Sequence, residues 1–180
     1  MQDNETKKSQ INRNKIRNIT MCAMFVAIMA ILSQISIPLP NLVPITLQTF
    51  AAALCGYFLG LKKGMITITV YILVGAVGVP VFSSFKGGFG VLFGYTGGFI
   101  WGFLFLVMAC ATFNKKKIGI PLGIIGVLLC HLCGVLQYYN VSENTFFQSF
   151  LSVSLPYLLK DFISVVIAYF FAKRLNKIKK

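Results

Sequence analysis

Charged residues are scarce in this sequence of 180 residues: Asp, Glu, Lys and Arg together make up only 12% of it. A soluble domain carries about 25% charged residues and about 45–50% apolar ones, whereas 57% of this chain is hydrophobic. A small core cannot absorb so much apolar surface, which excludes a soluble globular domain. Disorder is excluded as well, because it requires low hydrophobicity. The composition therefore indicates an integral membrane protein.

Acidic residues and histidine are rarest, and this limits the chemistry open to the chain. There are four carboxylates (Asp3, Glu5, Glu143 and Asp161) and one histidine, and no Gly-x-Ser-x-Gly motif. The sequence thus offers no convincing nucleophile–base pair, and we predict that the protein is not an enzyme. Gly-Lys is absent as a dipeptide, which excludes a Walker A motif. Any nucleotide-driven work must be done by a partner.

Five cysteines lie within predicted membrane spans, and two of them flank the lone histidine in Cys130-His131-Leu132-Cys133. Two cysteines at i and i+3 on an apolar helix make only half of a metal or redox site, and no second pair exists. We therefore predict no metal, no cofactor and no disulfide. We interpret the cysteines as small packing residues and His131 as a side chain hydrogen-bonded inside the bundle.

Basic residues give the chain a formal net charge of +13, but they are clustered. Most fall in four runs, which are Lys7–Arg17, Lys62–Lys63, Lys115–Lys117 and Lys173–Lys180. Basic loops between apolar spans follow the positive-inside rule and do not require nucleic acid. Because no basic stripe interleaved with aromatic residues is present, we predict no nucleic-acid partner.

The uncharged stretches between these runs predict six transmembrane helices, each of which needs about 20 apolar residues. Residues 18–61 carry no charge and are numerous enough for two helices, divided by the Pro-rich segment Ser36–Pro44. The other four predicted spans are Gly64–Phe85, Gly87–Asn114, Ile118–Tyr139 and Leu151–Ala172.

The sequence thus predicts an all-α, multi-pass protein of the cell membrane. The positions of the basic runs predict its orientation. Both termini are predicted to be cytoplasmic. Residues 1–17 form a basic N-terminal tail, residues 18–175 the six-helix membrane domain, and residues 176–180 a basic C-terminal tail. Further spans follow the first apolar run, so we do not interpret it as a cleavable signal.

Glycine marks two features of the predicted bundle. Rows spaced by four, at Gly56–Gly64 and Gly94–Gly102, allow helix backbones to approach closely in lipid. The segment Phe85–Gly98 combines glycines with aromatic rings and lies on the outer side. We interpret it as a flexible lid over an outward-facing pocket.

Asp161 is the one carboxylate predicted inside a span, near the outer end of the sixth helix. A buried intramembrane charge costs a few kcal/mol and usually marks a substrate site, an ion path or a proton relay. The neighbouring Lys160 could pair with lipid headgroups instead of with Asp161, because adjacent helical positions point apart. A purely interfacial role for Asp161 is the alternative.

Five segments carry a family pattern: Val43–Phe50, Gly78–Phe82, Gly87–Phe99, His131–Gly134 and Leu155–Asp161. In order and spacing they resemble the BioY family, the biotin-binding S components of energy-coupling-factor (ECF) transporters. The resemblance implies six helices and an outward-facing biotin site. It also implies partnership with a transmembrane T component and two cytoplasmic ABC-type ATPases.

One departure from that pattern concerns the sixth helix. The family has Asp followed three residues later by Lys, both associated with ligand, whereas here Ser164 follows Asp161. The resemblance therefore implies the role of the aspartate but not that of the lysine. Lys86, Lys160 and backbone N–H groups all remain candidates for the valerate carboxylate of biotin.

The expected residue types suit biotin, which has two ureido N–H donors, a ureido carbonyl, an apolar sulfur ring and an anionic tail. Asp161 is expected to accept from a ureido N–H, and Gln48 both to donate and to accept. Apolar walls with a few placed polar groups are typical of small-molecule sites. The expected substrate-binding residues are Thr46, Gln48, Phe85, Lys86, Phe89, Tyr95, Tyr157, Asp161 and Ser164.

The first helix carries small residues at helical spacing, namely Ala23, Ala27 and Ala30. Such a face lets another helix approach closely in lipid. The spacing alone is equally compatible with packing inside the chain, but the resemblance implies that this face docks the T component.

A stand-alone, proton-coupled carrier of biotin or another small vitamin is the alternative function, with Asp161 as its titrating group. Such a carrier would concentrate its substrate in vesicles that contain no ATPase. S components for other vitamins share the general architecture, so the choice of biotin depends mainly on the resemblance.

Overall fold

The structure is a computed structural model that describes residues 2–112 and 118–178, so the basic run Lys115–Lys117 lies outside the described residues. Side chains are described for residues 9–112 and 118–177. The described helices are α1 (Gln2–Gln34), α2 (Gln48–Ala76), α3 (Phe89–Phe93), α4 (Gly97–Thr112), α5 (Gly119–Val141), α6 (Phe146–Val153) and α7 (Leu155–Ile178).

Long apolar segments form these helices because a bilayer offers no water to satisfy exposed backbone groups. Four described segments are long and apolar enough to cross a membrane, and the shorter apolar α4 accompanies them. The four are Ser9–Gln34, Gln48–Ala76, Gly119–Val141 and Leu155–Lys177. The prediction of an all-α, multi-pass membrane protein is therefore confirmed.

The helix α2 is broken at Gly60, whose φ of 75° and ψ of 179° are not helical. Glycine adopts this positive φ without a steric penalty. The side-chain amide of Gln48 donates to the hydroxyl of Tyr71 at 2.7 Å, although 23 residues of straight helix would span about 35 Å. The two arms of α2, residues 48–59 and 61–76, therefore lie side by side as a helical hairpin.

The segment between α1 and α2 leaves the helical conformation where prolines remove backbone donors, at Pro38 and Pro40. Two-residue strands, β1 (Ser36–Ile37) and β2 (Ile45–Thr46), pair antiparallel across it. Since β2 leads directly into α2, this small hairpin covers one end of the bundle.

Two predicted spans differ from the helices observed. The span Gly64–Phe85 ends as a helix at Ala76, after which Gly78 adopts a φ of 102° and Pro80 follows. In place of one helix over Gly87–Asn114, the short α3 precedes α4. Glycines at 87, 88, 90 and 94 weaken helix formation there, because glycine disfavours a helix interior.

The sixth predicted span, Leu151–Ala172, is also divided, between α6 and α7 at Ser154. The helix α6 starts at a capping box, in which the Thr145 side chain and the Gln148 side chain each bond the other residue's backbone N–H. Pro156 stands in the first turn of α7, where its missing N–H removes no intrahelical bond.

The glycine rows allow close helix packing, as the sequence predicted. A Cβ at Gly98 of α4 would lie 2.3 Å from the carbonyl oxygen of Cys133 on α5. On α2, a Cβ at Gly56 would lie 2.7 Å from the carbonyl oxygen of Val107 on α4. Because α4 packs on both α2 and α5 through these contacts, it anchors the bundle that carries the site.

Large apolar side chains cover the outside of the bundle. On α7, for example, Leu159 is 71% exposed and Phe170 is 58% exposed. In water so much exposed apolar surface would promote association, but a bilayer accommodates it. The core itself is filled by fully buried residues such as Met29, Tyr71 and Phe82.

Candidate functional site

A cavity lies at the end of the bundle covered by the β1–β2 hairpin. It is a narrow, partly open cavity with a volume of about 40 Å³. Its apolar wall contains Phe99, Ile100 and Phe103 of α4. Its polar lining comes from several elements and comprises Thr46, Gln48, Thr49, Ser83, Thr96, Tyr157, Lys160 and Asp161.

Asp161 is the acidic group of this cavity and is only 5% exposed. Its Oδ2 lies 3.0 Å from Nε2 of His131 on α5. Its Oδ1 lies 2.5 Å from the Lys160 ammonium, but the two groups are not aligned as a hydrogen bond. Within residues 9–112 and 118–177, Oδ1 has no hydrogen-bond partner. One carboxylate oxygen is thus hydrogen-bonded to His131, and the other is buried beside the Lys160 ammonium without an aligned hydrogen bond.

Lys160 pairs with Asp161 and not with lipid headgroups, the alternative that the sequence left open. Its ammonium also donates to the backbone carbonyl of Thr46 at 2.8 Å, and its side chain is 27% exposed. Adjacent helical positions do diverge at Cβ, but the lysine stem has four carbons and bends back over the helix end. The cavity therefore contains one cation beside one anion.

Gln48 is held by buried hydrogen bonds at the start of α2. Its amide nitrogen donates to the hydroxyl of Tyr71, which in turn donates to the carbonyl of Val81 at 2.8 Å. The hydroxyl of Thr46 donates to the amide oxygen of Gln48 at 3.3 Å. Because the amide nitrogen is used by Tyr71, the acceptor oxygen of Gln48 is the atom that faces Thr46.

Tyr157 fastens the segment before β2 to α7. Its hydroxyl hydrogen-bonds to the carbonyl of Val43, and it lies 3.2 Å from Oδ1 of Asn41. The amide nitrogen of Asn41 donates to the carbonyl of Ser152 at 2.5 Å. One wall of the cavity is therefore tied to the helix that carries Asp161.

The structure brings together four of the nine residues expected from the sequence to bind substrate: Thr46, Gln48, Tyr157 and Asp161 line the cavity. The remaining five lie elsewhere. Phe85 and Lys86 are exposed between α2 and α3, and Phe89 is exposed at the start of α3. The ring of Tyr95 lies beside that of Tyr138, with centroids 5.6 Å apart, and Ser164 is buried farther along α7.

His131 is the most informative residue that was not placed at the site from the sequence. Its interpretation as a side chain hydrogen-bonded inside the bundle is confirmed, since it contacts Asp161 and, through Nδ1, the hydroxyl of Ser154 at 3.0 Å. An intramembrane carboxylate needs a polar partner, and the lone histidine in another span was the available signal. Across the described residues, no group of three or more His, Cys, Asp or Glu side chains could hold a metal ion.

Comparison with known proteins gives a consistent assignment. The BioY family matches residues 4–180 of the chain. The biotin transporter BioY of Thermotoga maritima is 35% identical over 91% of this chain and 98% of that protein. The probable biotin transporter BioY of Pyrococcus horikoshii is 32% identical over 90% of this chain and 98% of that protein.

A solved structure shares the fold. The crystal structure of the S-component for biotin from an ECF-type ABC transporter superposes with a TM-score of 0.84. The alignment covers 92% of this chain and 94% of that chain, at 24% identity. With a family match over nearly the whole sequence and relatives above 30% identity over nearly their full length, this chain belongs to the BioY family.

Proposed function

We propose that the chain binds biotin with high affinity as the S component of an ECF transporter and takes it up across the cytoplasmic membrane. The observation that carries the proposal is the buried carboxylate of Asp161 at the cavity, whose Oδ1 has no hydrogen-bond partner among the described side chains. The relatives named as biotin transporters support the choice of ligand.

The pairing of Lys160 with Asp161 suits the ureido ring. A cyclic urea places an N–H donor and a carbonyl acceptor side by side on one edge. Oδ1 of Asp161 and the ammonium of Lys160, 2.5 Å apart, present an acceptor beside a donor. Both hydrogen bonds would be charge-assisted and therefore about twice as strong as neutral ones. We accordingly place the ureido ring at this pair.

The remaining parts of biotin follow from that placement. Gln48 offers a second acceptor oxygen, and the rings of Phe99 and Phe103 form an apolar wall for the bicycle. With Lys160 occupied at the ureido end, Lys86 and backbone N–H groups remain for the valerate carboxylate. The exposed Phe85 and Phe89 would reach the ligand only if their loop closes as a lid.

A titration of the purified chain with biotin, riboflavin and thiamin tests the proposal. We expect saturable binding of biotin and none of the other two at the same concentrations, because the charged Lys160–Asp161 pair beside an apolar wall matches the cyclic urea and bicycle of biotin. The heat of binding, measured calorimetrically, gives the affinity. Tighter binding of riboflavin or thiamin would refute biotin as the substrate.

Any nucleotide-driven work must be done by partners, because the sequence has no Walker A motif. We propose that a transmembrane T component and two ABC-type ATPases carry it out, and that α1 is the docking helix. Ala23 and Ala27 are exposed, and Ala30 is half-buried against the core. The exposure of the first two supports contact with a partner over packing within the chain.

We further propose six membrane crossings, made by α1, the two arms of α2, α4, α5 and α7, with both termini in the cytoplasm. The side chain of Gln34, at the end of α1, donates to the carbonyl of Phe82 at 3.1 Å and accepts from the N–H of Phe85 at 2.8 Å. The cavity-side loops therefore gather at one end. At the other end Lys63 donates to Asn18 at 2.7 Å.

Cysteine accessibility in intact cells tests this topology. A cysteine at Asn144, between α5 and α6, should react with a membrane-impermeant thiol reagent. A cysteine at Lys116, which lies outside the described residues, should react only after permeabilisation. The parent chain, with its native cysteines, gives the background labelling. The opposite pattern would reverse the orientation and exclude uptake through an outward-facing cavity.

A further inference from the structure

We propose that His131 is a positioning residue for the substrate: it holds Oδ2 of Asp161 and so directs Oδ1 toward the ligand. The inference rests on the proposed function, since it concerns how the same cavity recognises a ligand that donates N–H groups. His131 does not line the cavity with Asp161. It can therefore influence the ligand only through the lining residues that it contacts, which are Asp161, by a hydrogen bond, and Phe99, whose ring centroid lies 5.5 Å from that of His131.

Both ring nitrogens of His131 have a hydrogen-bond partner. The imidazole is 4% exposed, with Nε2 at 3.0 Å from Oδ2 of Asp161 and Nδ1 at 3.0 Å from the hydroxyl of Ser154. Ser154 is itself 1% exposed and stands directly before α7. The ring thus links α5 to the start of the helix that carries Asp161.

The partners of the ring fix its orientation. An ionised Asp161 presents only lone pairs, so Nε2 of His131 donates to Oδ2. Nδ1 lies 3.0 Å from the hydroxyl of Ser154, which can either donate or accept.

Removing this donor would let the carboxylate turn. The terminal torsion of Asp is broad and nearly two-fold, so without His131 either oxygen can face Lys160 in good hydrogen-bond alignment. The acceptor that we assign to the ligand would then form an aligned hydrogen bond with the ammonium, which at present lies beside it without one. The ligand would have to displace that bond, and the preorganisation of the site would be lost.

Two amide variants separate this role from simple packing. In His131→Gln the amide nitrogen falls near the position of Nε2 and can still donate to Asp161. In His131→Asn it falls near Nδ1 and reaches only Ser154. We expect the Gln variant to bind biotin within about threefold of the wild type and the Asn variant about tenfold more weakly. Elution volume and thermal midpoint in detergent establish that both variants fold.

A double-mutant cycle gives the readout that packing alone would not produce. Against an Asp161→Ala background, His131→Asn should change the biotin affinity by less than about twofold, because its partner is gone. Ser154→Ala, which leaves the ring in place, should lower the affinity in the wild-type background and have no effect in the Asp161→Ala background.

The outcomes distinguish failure of the positioning role of His131 from failure of the proposed function. If the wild type binds biotin and His131→Asn binds it equally well, the positioning role is refuted while the function stands. Equal losses in the Gln and Asn variants, or effects that persist without Asp161, would likewise assign His131 to packing. If the wild type does not bind biotin, the proposed function itself fails, and the inference fails with it.

Discussion

Asp161→Asn is expected to weaken biotin binding by about 1–3 kcal/mol, or roughly 5- to 150-fold, while the bundle stays folded. The amide keeps the shape of the side chain but removes the charge that strengthens the bond from a ureido N–H. It also removes the counter-charge of Lys160, which lies 2.5 Å away and is 27% exposed. Calorimetric titration of the purified variant with biotin measures the loss.

The matched control is Glu143→Gln, an acid-to-amide change on the exposed loop between α5 and α6. Glu143 does not line the cavity, so this variant should bind biotin as the wild type does. Thermal unfolding in detergent should be similar for both variants, since Asp161→Asn can still accept from His131. An unchanged affinity in Asp161→Asn would leave Asp161 with a structural role at the membrane interface.

Much of the helical framework was predictable, because hydropathy and turn residues act locally. The sequence placed a boundary between Leu61 and Gly64, and the structure breaks α2 at Gly60. It also predicted close contacts for the row Gly94–Gly102, of which Gly98 and Gly102 pack on α5. The ends of helices in Gly-rich stretches were less predictable, since the sequence stays hydrophobic beyond Ala76 although the helix ends there.

The site was predictable only in part, because its residues meet across long separations. Asp161 could be found from its own sequence context, since a carboxylate in an apolar span is costly. Its contact with His131, 30 residues earlier, depends on how α5 and α7 are rotated against each other. Its pairing with Lys160 depends on a flexible side chain, which a rule about Cβ directions does not describe.

Which aromatic rings line the cavity was likewise not predictable from the sequence alone. Composition marks the loop before α4 as rich in rings, but it does not tell which rings face inward. The structure places Phe99 on the cavity and leaves Phe85 72% exposed. Ser84 and Phe85 both have positive φ values, 58° and 56°. This backbone conformation turns the ring of Phe85 away, and nothing in residue type alone predicts it.

Ala27→Trp is expected to abolish both assembly with the T component and ATP-driven biotin uptake, while biotin binding by the isolated chain stays near normal. Ala27 is exposed on α1, whereas Phe25 and Met29 of the same helix are buried in the core. Close helix approach in lipid depends on packing of small residues. A Trp side chain would hold a partner helix away without entering the cavity.

Leu128→Trp provides the matched control, because Leu128 is 48% exposed on α5, whereas α1 packs mainly on α2. Co-purification of a tagged chain with the T component measures assembly, and accumulation of labelled biotin in cells measures uptake. The control should preserve both, and Ala27→Trp neither. If Ala27→Trp lost binding together with assembly, the Ala23–Ala27 face would stabilise the bundle itself. The surface that couples the chain to its ATPases would then lie on another helix.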